Sequence, residues 1–251
     1  MLLTELDWSW LVWIGVGAIF VVGGIVKGTM GVGLPTVVLP MLSLVVPGTQ
    51  AMGLLVMPVL LSNFWQAIEG GNWRYSLRRF GSVIGVQLLF TVATVKLTAG
   101  FSVAFFNVVV AVAVLSAVGL MFVRPREIRP EQERWMGPVV GAIAGVMGGV
   151  STLTGPIIIT YLMALRLKRE EFIASISIIY LLGSLPTYIA MLWYGRFGFN
   201  EVALSALALL PMFVGLRFGK AIRRFLSEIA FRRVLIGFLV ILALMLVVKS
   251  V

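Results

Sequence analysis

"VVGGIVKGTMGVGLPTVVLP", Val21 to Pro40, sets one lysine and a cluster of glycines inside an otherwise apolar tract. A soluble core rarely buries a lysine without a partner, and a plain membrane helix has little use for so much glycine. The stretch reads as a break within a longer apolar run. Leu11 to Val46 is 36 residues whose single charge is Lys27. If wholly helical it would reach about 54 Å at 1.5 Å per residue, too long for one crossing of a roughly 30 Å hydrocarbon core and short of two.

A second tract behaves the same way. Trp135 to Leu165 is 31 residues with no charge, about 46 Å as a helix, and "GGVSTLTGP" (148–156) interrupts it near its middle. Glycine and proline end helices and free backbone groups. At membrane depth such groups are tolerated only when buried in protein or lining an aqueous cavity. The pattern predicts two helical hairpins, broken or re-entrant, with tips near the midplane. Helix N-termini at those tips suit an anion. Glycines that only let helices pack closely are the alternative, which fits "VVGG" (21–24) and "GAIAG" (141–145) but leaves Thr29, Ser151, Thr152 and Thr154 at the breaks unexplained.

Composition sets the class. Hydrophobic residues make up 60% of the 251 and charged residues 12%, about half the charged share of a soluble domain, so the chain is a membrane protein. Ten apolar tracts follow one another at 8–26, 31–46, 50–68, 77–97, 101–123, 135–149, 155–165, 172–194, 200–217 and 231–250. The opening "MLLTELDWSW" has no basic run and carries Glu5 and Asp7, so Leu11 onward is expected to be mature structure. The net charge of +10 comes from short basic clusters between apolar tracts, which topology explains without nucleic acid. Counted by alternate loops, 17 of the 20 Lys and Arg fall on one side and 3 (Lys96, Arg196, Lys249) on the other. The positive-inside rule then places the first side in the cytoplasm and both termini outside.

The halves resemble one another. At an offset of 121, "GLPTVVLPML" (33–42) lies on "TGPIIITYLM" (154–163), and "PVLLSNFW" (58–65) on "IYLLGSLP" (179–186); at 126, "FSVAFFNVVV" (101–110) lies on "SEIAFRRVLI" (227–236). Five segments per half is an odd number, so the second half enters the membrane inverted, as in many secondary transporters. The expected fold is an all-α polytopic membrane protein of two inverted repeats: residues 1–123, a cytoplasmic linker at 124–134, and 135–251.

The chemistry-bearing residues are few. Without Cys or His, thiolate or imidazole metal sites and Ser-His-Asp catalysis are excluded; no cofactor and no enzymatic activity are expected. All ten acids (Glu5, Asp7, Glu69, Glu127, Glu131, Glu133, Glu170, Glu171, Glu201 and Glu228) lie in loops or at segment ends. A mid-membrane carboxylate relay is therefore missing, and a cationic substrate would lack a counter-charge. The site favours an anion. Lys27 either neutralises that anion or snorkels to headgroups. On the third segment Ser62, Asn63 and Gln66 share one helix face, with Trp65 beside them. The equivalent segment carries Ser177, Tyr180, Ser184, Thr187 and Tyr188, and Gln87 lies mid-way along the fourth. Such neutral donors orient an oxyanion or act as interhelical glue. The candidate substrate-binding set is Lys27, Thr29, Gly31, Gly33, Asn63, Trp65, Gln66, Ser151, Thr152, Thr154, Tyr180 and Ser184.

"GGIVKGTMGVGLPTVVLPML", "SNFWQ", the basic mid-chain linker and "GAIAGVMGGVSTLTGPIII" together resemble the TauE/SafE family of sulfite and organosulfonate exporters, over most of the chain. The glycine runs here are sparser than the family's usual ones. The resemblance implies a multi-pass carrier of the bacterial cytoplasmic membrane that exports sulfite, sulfoacetate or related C2 sulfonates by alternating access. Its partners would be a small anionic substrate, the lipid bilayer and a second copy of the chain as a homodimer, with no nucleic acid. An anion channel and an accessory subunit without its own site are the other readings of the same pattern.

Overall fold

Proline and glycine set most of the helix boundaries. A computed structural model describes residues 10–70, 73–102 and 127–222, isolated positions between 105 and 120, and residues 225 and 237. Among the described residues every regular element is a helix: α1 (Trp10–Met30), α2 (Leu34–Val45), α3 (Gly48–Leu54), α4 (Val56–Gly70), α5 (Trp73–Leu97), α6 (Pro130–Ser151), α7 (Gly155–Ala164), α8 (Arg169–Trp193), α9 (Phe199–Leu207) and α10 (Leu209–Ile222). These follow the apolar tracts closely. The tracts at 101–123 and 231–250 lie largely outside the described residues.

Three differences from the sequence expectation have local causes. The tract at 50–68 is divided at Leu55 and that at 200–217 at Ala208. Pro58 and Pro211 explain both, since a proline ring clashes with the carbonyl four residues back, here Leu54 and Leu207, the last residues of α3 and α9. The second division bends the chain by 44° between α9 and α10. Third, Pro130–Arg134, at the end of the stretch read as a linker, forms the first turn of α6. Pro130 stands where a missing N–H costs nothing, Glu131 and Glu133 suit the positive end of the helix, and the Gln132 side chain accepts from the Arg129 N–H at 3.0 Å.

Among the described residues four stretches are long and apolar enough to cross a membrane, α1, α5, Ala174–Trp193 of α8, and Gly48–Ile68 if α3 and α4 count together; a fifth span arises if α9 and α10 count together. The outward faces agree. Trp193 is 84% exposed, and Trp10, Leu97 and Leu210 are also largely exposed, far more apolar surface than water tolerates. Trp73 and Trp135, near the starts of α5 and α6, carry the guanidinium groups of Arg74 and Arg134 over their rings, a combination suited to a membrane–water interface.

The chain forms two compact units, one from residues 1–58 and 197–251, the other from 59–196. In the first, α2 doubles back on α1: a Cβ at Gly23 would run into the side chains of Val38 and Leu34. The chief partner of α1 is α10. Gly24 and Gly28 of α1 lie directly on the backbone of Met212 and Leu216, and Gly215 and Gly219 of α10 on the backbone of Val21 and Ile25. Glycines four apart on both helices let the backbones meet, which supplies the dispersion contact that holds helices together where lipid removes the hydrophobic drive.

In the second unit, α7 doubles back on α6. Its last carbonyl, at Ala164, accepts from the Ile128 N–H at 3.0 Å, and Arg166 pairs with Glu127 at 2.9 Å. The chief partner of α6 is α5. A Cβ at Gly141, Gly145 or Gly149 would lie 2.5, 2.5 or 2.9 Å from the carbonyl oxygens of Val83, Gln87 and Thr91. The start of α5 is clamped as well. Arg79 donates from Nε to Glu133 Oε1 at 2.7 Å and from its second terminal nitrogen to Oε2 at 2.9 Å, also meeting the Tyr75 hydroxyl. Ser76 and Ser175 join α5 to α8 at 3.3 Å. Because the Arg79 and Glu133 side chains are mostly buried, Glu133→Gln is expected to cost about 1.5–3 kcal/mol, the range for hydrogen bonds to charged groups. Thermal unfolding of the purified protein checks it.

The two hairpins correspond residue by residue. α1 and α6 end at Met30 and Ser151, and α2 and α7 begin at Leu34 and Gly155, each pair 121 apart. The first residue of each break is left-handed: Gly31 with φ 80° and Thr152 with φ 59°. The same offset carries Gly24 to Gly145 and Gly28 to Gly149. Their partners, Met212 and Gln87, Leu216 and Thr91, are 125 apart. In each unit the hairpin comes from one half of the sequence and the helix under it from the other.

Candidate functional site

The break in the first unit is built around Lys27. α1 runs to Met30, and the Gly31 N–H then donates to the Lys27 carbonyl at 2.7 Å. Gly31 and Gly33 both take positive φ, 80° and 98°, a region in which a Cβ is strained. These two residues turn the chain so that α2 starts immediately with Pro35 in its first turn. No side chain caps that helix, so its leading N–H groups and the positive end of its dipole point into the break. Lys27 is 3% exposed. A snorkelling lysine runs out along the surface; this one is packed inside protein, one turn before the break. Thr29 is also buried and donates toward the Ile25 carbonyl at 2.8 Å and the Gly219 carbonyl at 3.2 Å. The structure thus brings Lys27, Thr29, Gly31 and Gly33 together.

The break in the second unit has no cation. It gathers hydroxyl groups instead. The buried Ser151 donates to the Met147 carbonyl at 2.9 Å, and Thr152 closes the helix in a left-handed conformation, which is uncommon for a residue with a Cβ. Thr154 precedes α7 without capping it by its side chain. From α8, the Tyr180 hydroxyl donates to the Gly155 carbonyl at 3.1 Å, and Tyr188 is buried on the same helix. Ser184 turns back to the Leu181 carbonyl at 3.3 Å. Counted from Trp135, the tip at Ser151 lies about 24 Å along the helix axis.

The α4 residues form a separate group. Asn63 and its neighbour Ser62 are buried and Gln66 is half-buried, while Trp65 is 57% exposed. One feature escaped sequence reasoning: the Arg79–Glu133 clamp, which joins residues 54 apart and has no local signature. Gln87, singled out by its place mid-way along an apolar span, is fully buried, as is Thr91 one turn on.

The second unit offers neutral hydrogen-bonding groups at a helix N-terminus, and the first a buried ammonium at another. Each by itself suits a small oxyanion. A family model described as sulfite exporter TauE/SafE matches residues 5–246. The chain belongs to the TauE/SafE family. It is accordingly a multi-pass membrane transporter of the sulfite and sulfonate type, with a small anion as substrate, and not an enzyme. No curated protein and no solved structure matches the chain. Within the TauE/SafE match fall both hairpins and every helix described above.

Proposed function

We propose that this TauE/SafE protein exports C2 sulfonates such as sulfoacetate, or sulfite, across the bacterial cytoplasmic membrane by alternating access between two inverted repeats, residues 1–123 and 135–251. The observation that carries the reading is Lys27, a lysine held inside protein one turn before an uncapped helix N-terminus. Ammonium and backbone N–H groups there are suited to hold sulfonate oxygens, with Thr29, Gly31 and Gly33 shaping the turn. In the equivalent break Ser151, Thr152, Thr154, Tyr180 and Ser184 supply neutral donors, and Asn63 and Gln66 add amides, with Trp65 beside them on α4. The matching breaks, left-handed residues and glycine contacts at constant offsets support the repeat. The 17-to-3 division of basic residues and the Trp–Arg pairs near the starts of α5 and α6 support cytoplasmic basic loops.

Flux in proteoliposomes, with sulfoacetate, taurine, sulfite and sulfate in parallel, tests the proposal. Saturable movement of at least one sulfonate or of sulfite, in preference to sulfate, is expected. No saturable flux of any of them would sink it, and large non-saturating currents would mean a channel instead.

A further inference from the structure

The buried amide of Gln87 has no role in the packing around it. Gln87 sits mid-way along α5, and its residue exposure is 0%. Gly145 of α6 meets the backbone carbonyl of Gln87, and Gly183 of α8 leaves the room the side-chain amide occupies; a Cβ at Gly183 would collide with Nε2. Among the described residues, neither Oε1 nor Nε2 of Gln87 has a hydrogen-bond partner. An amide shut away from water without partners is costly, and native proteins rarely keep one.

Interhelical glue does not account for it. The carbonyls of the two neighbouring glycines are served by threonines: Thr91 donates to the Gly145 carbonyl at 3.2 Å and Thr187 to the Gly183 carbonyl at 2.6 Å. Gln87 itself bonds to neither helix. It lies on the approach to the second hairpin's break, level with Gly145. Thr91, one turn further along α5, lies against the same Gly148 position as the Thr154 side chain. On α8, Gly183 stands between Tyr180, which reaches Gly155, and Thr187. Gly183 makes the space, and the amide that fills it offers an unused NH2 donor group and an unused carbonyl acceptor.

We propose that Gln87 binds the transported anion directly, Nε2 donating to a sulfonate oxygen and Oε1 accepting from a donor on the same ligand. The ligand class is a C2 sulfonate with a hydroxyl or ammonium group on its second carbon. A sulfonate oxygen alone satisfies only half of the amide, because it cannot donate. This inference rests on the transporter reading above and narrows its substrate class.

The test uses full-length protein in proteoliposomes and two probes that differ by one hydroxyl, 2-hydroxyethanesulfonate and ethanesulfonate, with sulfite alongside. The wild type is expected to half-saturate at a concentration at least tenfold lower for the hydroxylated probe. A site that hydrogen-bonds a substrate hydroxyl discriminates strongly against the analogue without it. Q87L, close in size, is expected to lose that preference and treat the two probes alike. Q87M is the second variant should Q87L fail to fold, with thermal unfolding as the check on both. Unchanged half-saturation and preference in a folded Gln87 variant would overturn the inference. So would saturable sulfite flux with no saturable flux of either sulfonate, an outcome that leaves the transporter reading standing. Absence of saturable flux for all three probes would remove the transporter reading itself.

Discussion

Gly145→Leu is expected to leave no folded protein. A Cβ at this position lies 2.5 Å from the Gln87 carbonyl oxygen, 2.7 Å from the Phe90 Cβ and 3.0 Å from the Thr91 nitrogen. Two of these are backbone atoms of a continuous helix, so they cannot rotate away as the tip of a flexible side chain would. α5 and α6 must separate, and the contact that anchors the second unit is lost along its length. The cost is expected to exceed about 4 kcal/mol, beyond the range of ordinary substitutions and a large share of a typical total stability of about 5–15 kcal/mol. Gly28→Leu in the first unit meets the Leu216 carbonyl, the Lys220 nitrogen and Gly219, and should fail for the same reason. Gly85→Leu is the control: nothing lies within 4 Å of its Cβ position, and replacing a helical glycine there is expected to be neutral or slightly stabilising. Recovery as a monodisperse peak after detergent extraction reads all three. Gly145→Leu at wild-type yield and stability would show that the helices do not meet through their backbones.

This prediction also marks what the sequence disclosed. The two breaks were legible because glycine, threonine and proline have strong local preferences: the chain turns at 31–33 and 152–154, inside the stretches singled out. The long helices were legible from hydrophobicity. "VVGG" and "GAIAG" were open to a packing role or a site role. Gly24, Gly141 and Gly145 pack helix against helix, while Gly31 and Gly33 turn the chain. Spacing separates the two uses, since packing glycines recur every four residues along one face and turning glycines sit beyond the last helical residue. What was not legible is which helix each hairpin packs against. Gly28 meets Leu216 across 188 positions, and Gly145 meets Gln87 across 58; nothing local in either helix specifies a partner so far away. The function of Gln87 was obscured for a related reason. Its residue type is visible in sequence, but Thr91 and Thr187 occupying the carbonyls of the neighbouring glycines is a fact of three helices at once.

Lys27→Met is expected to abolish most sulfonate flux while leaving the fold intact or firmer. Burying an ammonium carries a desolvation penalty, and replacing a buried charged group by an apolar one of similar volume is often neutral or stabilising. Lys27 is 3% exposed, so its charge is held away from water. Retaining it is reasonable if the charge is used, and an anionic substrate is the use that the uncapped start of α2 shares. Loss of the charge removes the attraction that offsets stripping water from a sulfonate. A decrease in flux at subsaturating substrate of about 100-fold follows if the coupling is near 3 kcal/mol, the upper end of the range for a hydrogen bond to a charged group. Lys27→Arg keeps the charge but presents a planar fork where a compact point charge stood, and is expected to retain part of the flux. The decisive measurement pairs thermal unfolding with initial flux for both variants. Higher stability together with lost flux in Lys27→Met identifies a functional charge kept at a cost to the fold, whereas lower stability with undiminished flux per folded molecule would make Lys27 a structural residue and move the anion site elsewhere.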